Sequence, residues 1–238
     1  MVSSIVFLGT GGDSSVLGKQ ARAFGGIILQ IGKDQFHIDP GPGSMIMASA
    51  AGVNLRNNTA VFVTNNNILN SNDVNAVIDG MTYGGFDKKG VLVANDAVIN
   101  GTDTSEPVLR TQYKNYLERF IVLDVGKRVG INETEVQALY STNPEAIGLK
   151  FITPDFTLVY TGNTSLNAES LAQYQDANIL ILNVPYLTRD EGKDNLSKDD
   201  AIKIIQKVNP RLAVITHFGI NFLKADPLYE VREIQKQV

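Results

Sequence analysis

His37 and His217 are the only imidazoles in the chain, and cysteine is absent. The missing thiols exclude disulfides, thiolate zinc sites, iron–sulfur clusters and a cysteine nucleophile together. With two histidines no centre can be built mainly from imidazoles. His217 follows an apolar run (Leu212 to Thr216) and precedes Phe218-Gly219, which puts it just past the end of a strand. His37 alternates with Phe36 and Ile38 in a strand-like run and reads as a hydrogen-bonded structural residue. Two carboxylates also close strand-like runs. Asp39 would fix a strand-end turn before Pro40, and Asp13 would hydrogen-bond loop amides. The alternative use of those oxygens is a weak Mg²⁺ or Ca²⁺ site.

Other chemistry lacks its motif. Gly9-Thr10-Gly11-Gly12-Asp13 does not have the Gly-x-Gly-x-x-Gly spacing, and there is no Gly-Lys-Ser/Thr phosphate loop. No Gly-x-Ser-x-Gly elbow presents a serine. A Ser141–His217 pair would lack an orienting carboxylate.

The elements that must position these residues follow from pattern. The chain has 238 residues, 43% of them apolar and 19% charged, with a net charge of −4. That is the composition of a globular protein, and no linker or repeat divides it, so one domain spanning residues 1–238 is expected. Strand-like runs fall at Ser4–Leu8, Gly26–Ile31, Gln35–Ile38, Ala60–Thr64, Gly90–Ala94 and Arg119–Leu123. Others fall at Glu135–Tyr140, Leu149–Thr153, Thr157–Thr161, Asn178–Leu182 and Arg211–Thr216. Helices are expected at Ser44–Ala51, Asp73–Met81, Asn167–Gln175 and Ser197–Val208, the last capped by Ser197. Asn70-Ser71 could cap the second of these. The polar stretch Thr188 to Lys198 reads as a loop, and the basic pairs Lys88-Lys89 and Lys127-Arg128 read as solvated turns. A strand-rich first half and an alternating second half fit two sheets with helices on their outer faces.

Five punctuation points then line up in order: Gly9-Thr10-Gly11-Gly12-Asp13, Ile38-Asp39-Pro40-Gly41-Pro42-Gly43, Val63-Thr64-Asn65-Asn66-Asn67-Ile68-Leu69-Asn70, Tyr160-Thr161-Gly162-Asn163-Thr164 and Ile215-Thr216-His217-Phe218-Gly219. This order resembles the metallo-β-lactamase superfamily, in particular its metal-dependent hydrolases, over almost the whole chain. The resemblance implies an α/β (α+β) fold, a four-layer αββα sandwich with a two-metal hydrolase site along one edge between the sheets. It also implies metal ligands at defined positions. A Thr-His-x-His-x-Asp-His motif is expected after the fourth strand, and here Thr64 is followed by Asn65, Asn67, Leu69 and Asn70. The next ligand falls at Ser141 or a neighbour, the bridging aspartate falls at Asn163, and the last histidine is His217. Of these seven positions only His217 keeps its residue type.

The substitutions change the chemistry expected. Neutral amides are poor zinc ligands, and leucine in place of aspartate removes the group that would bind metal or act on water. The resemblance with this departure implies a non-catalytic binding or assembly module, a pseudoenzyme without dinuclear zinc, paired with itself or a related subunit. Two alternatives stay open. One is a polar small molecule such as a sugar or nucleoside, held by Asn65, Asn67, Asn70 and Asn163. The other is a hydrolase using an unorthodox ion. The N-terminal run lacks a signal-peptide pattern, no window approaches about 18 apolar residues, and no Lys/Arg block suits nucleic acid or membrane, so the cytosol is expected. Beyond the Thr-His-Phe-Gly turn, Pro227–Val238 reads as a helix with Leu228, Val231 and Ile234 on one face. Without a closing strand, the neighbouring strand is expected to form a sheet edge.

Overall fold

The computed structural model describes residues 3–189 and 194–238. The chain forms two compact units, Met1–Thr10 with Arg22–Leu123, and Gly11–Ala21 with Asp124–Val238. Each contains one six-stranded sheet, so the protein is mixed α/β.

The sheet of the first unit runs in sequence order: β1 (Ser3–Gly9), β2 (Phe24–Ile31), β3 (Asp34–Ile38), β4 (Asn58–Val63), β5 (Val91–Ala94) and β6 (Arg119–Val122). The first three strands are antiparallel, and β3 to β6 are parallel. Parallel neighbours need crossovers. Helix α2 (Ser44–Ala50) lies in the first of them, α3 (Ile68–Ser71) and α4 (Val74–Thr82) in the second, and α5 (Asp96–Asn100) and α6 (Thr111–Lys114) in the third. Helix α4 exists because Val74, Val77, Ile78 and Met81 fall on one face. All four are fully buried, against Val61 and Val63 of β4 and Leu92 of β5. At roughly 1.5–3 kcal/mol per fully buried aliphatic side chain, this stripe, not helix propensity, holds α4 on the sheet.

The second unit starts with α1 (Ser14–Gly18), which Asp13 caps. Its sheet runs β12 (Leu212–Thr216), β11 (Ile179–Asn183), β10 (Thr157–Tyr160), β9 (Gly148–Ile152), β8 (Thr134–Leu139) and β7 (Arg128–Ile131). Strands β7 to β10 are antiparallel, and β10 to β12 are parallel. Helices α7 (Ala168–Gln173) and α8 (Lys198–Val208) make the parallel crossovers, followed by α9 (Ile220–Lys224) and α10 (Pro227–Gln235). Leu180 and Leu182 of β11 pack with Ala201 and Ile204 of α8, Tyr174 and Phe222.

The expected strands all form, within two residues at each end, and β7 is an addition. It forms from Arg128, at the basic pair expected to be a solvated turn, and Arg128 meets Glu135 of β8 at 2.8 Å. Ser197 caps α8 as expected, within a full capping box with Asp200. Two details differ. The residue before α4 is Asp73, whose carboxylate makes no cap bond. Its Oδ2 accepts the Gly43 N–H at 2.9 Å, so it ties down the start of α2 instead, and Asn70-Ser71 belong to α3. In α10, Ile234 is buried while Leu228 is 72% exposed, so the apolar face is narrower than its spacing suggests. Of the Thr188 to Lys198 stretch, residues 190–193 lie outside the described residues, and Lys198 already opens α8.

Candidate functional site

In the first unit the residues of interest surround the end of β3. Asp39 adopts φ 51°, a left-handed backbone, and is buried. Gly41 follows in a close approach: a Cβ there would lie 2.0 Å from Leu69 O and 2.4 Å from Phe24 O. The Asp39 carboxylate accepts three hydrogen bonds, from the Thr64 N–H at 2.7 Å, the Thr64 hydroxyl at 2.7 Å and Asn70 Nδ2 at 3.0 Å. Asp39 thus ties the end of β3 to Thr64 and Asn70, the two ends of the segment after β4.

That segment consumes its own amide oxygens. Asn65 Oδ1 accepts the Asn67 N–H at 2.7 Å, and Asn67 Oδ1 accepts the Leu69 N–H at 2.9 Å to cap α3. Asn70 turns its amide nitrogen to Asp39, and Leu69 contributes a half-buried hydrocarbon. Asn67 is exposed, whereas Asn65 and Asn70 are buried, and Asn65 Nδ2 has no partner among the described residues. His37 lies apart from this group in its bonding. Its Nε2 meets Gly25 O at 2.9 Å, and complete burial lowers its pKa to about 4, although the Gly25 bond and the Asp73 charge oppose the shift.

In the second unit the corresponding residues lie at the ends of β10, β11 and β12. Asn163 follows Gly162, which is left-handed at φ 60°. Asn163 Oδ1 accepts from Asn183 Nδ2, and the Asn163 carbonyl accepts the Ser141 hydroxyl at 2.6 Å. Ser141 Oγ in turn accepts the Asn143 N–H at 3.0 Å. Ser141 and Asn163 are therefore brought together, and Ser141 makes no hydrogen bond to His217 among the described residues.

His217 is left-handed at φ 61° and buried. Its Nε2 lies 3.5 Å from the Tyr160 hydroxyl, and Nδ1 has no partner among the described residues, nor has Thr216 Oγ1. Burial lowers its pKa to about 4, so the ring is neutral at physiological pH. The Gly11-Gly12-Asp13 loop clamps this turn. Gly12 N–H donates to Phe218 O at 3.0 Å, and a Cβ on Gly12 would fall 1.8 Å from His217 O. Asp13 accepts the Val16 N–H through Oδ1 and the Ile220 N–H through Oδ2, both at 2.7 Å. Asp13 is the loop-binding residue its position suggests.

Three participants were not singled out by sequence reasoning: Tyr160, Asn183 and Thr216. Their common signal is a side chain able to hydrogen-bond closing an apolar parallel strand, at the carboxyl end where α/β sheets place ligands.

The donor set does not fit a dinuclear metal centre. Hydrolytic zinc takes about three imidazole, carboxylate or thiolate ligands. Among the described residues no three His, Asp or Glu side chains group so as to hold an ion. The amide oxygens of Asn65, Asn67 and Asn163 already accept internal hydrogen bonds.

The family described as Beta-lactamase superfamily domain matches residues 35–218. An uncharacterized protein of Methanocaldococcus jannaschii is 26% identical over 220 residues, covering 91% of this chain and 83% of its own. Among solved structures, the metallo-beta-lactamase fold protein YhfI from Bacillus subtilis superposes with TM-score 0.79 at 15% identity, over 98% of this chain and 92% of that one. The Zn²⁺-bound PqqB from Methylobacterium extorquens superposes with TM-score 0.70 at 12% identity, over 99% and 96%. These two likenesses concern the fold.

Proposed function

Because the chain belongs to the family of Beta-lactamase superfamily domains, whose fold it has, we propose that it is a pseudoenzyme of that family: a binding or assembly module without a dinuclear metal centre. The observation that carries this reading is the internal bonding of the amides at the ligand positions. Asn65, Asn67 and Asn163 hold loops and cap a helix, and Asn70 braces Asp39. These neutral side chains do structural work where zinc ligands would supply imidazole nitrogens or negative charge. PqqB is described as Zn²⁺-bound, so the fold itself is compatible with metal. The test is elemental analysis after incubation with zinc, manganese and iron followed by dialysis. Sub-stoichiometric metal supports the reading, and retention of two ions per chain overturns it in favour of a hydrolase with an unorthodox ion.

A second reading rests on a specific observation. In the second unit, Thr216 Oγ1 and His217 Nδ1 are adjacent buried polar atoms without partners among the described residues. An unsatisfied buried group costs about 1–3 kcal/mol, and a neutral, hydroxyl-rich ligand such as a sugar or nucleoside would satisfy such groups. Protection of the melting temperature by a panel of nucleosides and monosaccharides tests it. No shift at millimolar ligand would remove it.

A further inference from the structure

His217 combines a constrained backbone with an unconstrained side chain. Its φ of 61° lies in the left-handed region, which costs a non-glycine residue about 1–3 kcal/mol. The ring placed by that backbone makes no firm bond of its own. Nε2 stands 3.5 Å from the Tyr160 hydroxyl, at the limit of a hydrogen bond, and Nδ1 has no partner among the described residues. Thr216, the residue before it, is 1% exposed, and its hydroxyl is also without a partner there. The side chains at this strand end therefore do not hold the conformation that displays them.

The main chain on either side holds it. The Thr216 carbonyl accepts the Val184 N–H at 2.9 Å, and the Phe218 carbonyl accepts the Gly12 N–H at 3.0 Å. The Gly219 N–H donates to Pro185 O at 3.0 Å, and the Ile220 N–H donates to Asp13 Oδ2 at 2.7 Å. Asp13 completes the brace, because its other oxygen accepts the Val16 N–H at 2.7 Å and caps α1. One carboxylate thus serves the first turns of two helices: the N-cap of α9 is Gly219, which has no side chain to do it. The approach is close enough to need both glycines. A Cβ on Gly12 would fall 1.8 Å from His217 O, and one on Gly219 would fall 2.8 Å from Asp13 Oδ2.

We infer that Asp13 is a positioning residue: by bracing α1 to α9 it fixes the turn that presents the Thr216 hydroxyl and His217 Nδ1 to a bound molecule, which Asp13 itself does not touch. The inference rests on the second reading above, in which these two atoms meet a neutral polar ligand. A strained backbone pinned on both sides, with its polar side-chain atoms left unbonded, is the arrangement of a preorganised binding group. The cost of ordering is met in folding, before a ligand arrives.

The experiment is NMR of the full chain at pH 7. With only two histidines the imidazole resonances form two sets, and His217→Gln identifies the set that belongs to His217. Spectra are compared for the parent, Asp13→Ser and Asn167→Ala. Serine keeps a cap for α1 and is too short to hold Ile220 as well. Asn167 caps α7 in the same unit, so its loss lowers stability without touching the brace. The expected result is a shift or doubling of the His217 resonances in Asp13→Ser, with His37 unmoved and neither histidine moved in Asn167→Ala. An unmoved His217 in Asp13→Ser, or an equal displacement in Asn167→Ala, would overturn the inference. Uridine and ribose are then titrated to about 10 mM. A probe that shifts His217 in the parent should bind Asp13→Ser about tenfold more weakly, and equal affinity would also overturn the inference. No response of the parent to either probe, with His217 displaced by Asp13→Ser, contradicts the ligand reading and leaves the positioning role standing.

Discussion

Asp39 was legible in the sequence as a turn residue, and its three bonds to Thr64 and Asn70 make it the anchor of the segment after β4. Asp39→Ala would leave those donors buried and unpaired, so stability should fall by roughly 2–5 kcal/mol, read from urea denaturation. The two histidines give a pH dependence whose sign follows from burial. Both folded-state pKa values, about 4, lie below the ordinary 6.5, so the unfolded chain binds protons first as pH falls. Their contribution to stability is complete above pH 6.5 and is lost progressively down to about pH 4. The slope there is at most about 1.4 kcal/mol per pH unit for each histidine. Urea midpoints measured between pH 7 and pH 4.5 should decline over that window and should be flat from pH 7 to pH 8. What the sequence did not reveal at this scale was that the asparagines at the ligand positions bond within the protein, Asn65 and Asn67 to backbone N–H groups two residues on, Asn70 to Asp39 and Asn163 to Asn183. Residue type shows that an amide is a poor ligand, but only the fold shows where its oxygen is spent.

At the scale of elements, the long amphipathic pieces were readable because their apolar faces are buried. Helix α8 carried its cap in plain view, with Ser197 and Asp200 satisfying each other's backbone N–H groups. Ser197→Ala should lower stability by about 0.5–2 kcal/mol in thermal melts, with restoration by Ser197→Thr or Ser197→Asp. The short helices α1, α3, α5, α6 and α9 span four or five residues each, too few to show a helical period. Strand β7 escaped notice because it has only two apolar residues, Val129 and Ile131, alternating with exposed Arg128 and Gly130, and pairing with β8 supplies what its own propensity lacks. Asn67 shows the same limit from the other side. Its motif position invites reading it as a ligand, while locally it is an N-cap, the role asparagine fills most readily.

At the scale of the whole molecule, each unit has a strand that ends in a left-handed residue. Asp39 lies at the end of β3 and His217 at the end of β12, held by Thr64 and Asn70 in one unit and by the Gly12 and Asp13 loop in the other. Backbone strain of this kind persists only where its surroundings enforce it. Here those surroundings are hydrogen bonds that need no metal. A native state stabilised by bound ions would lose that linkage on chelation. The direct measurement is therefore metal stoichiometry by mass spectrometry after exposure to zinc, manganese and iron, paired with melting curves with and without a chelator. The account predicts well under one ion per chain and an unchanged melting temperature. Two retained ions per chain, with a large chelator-induced drop, would contradict it.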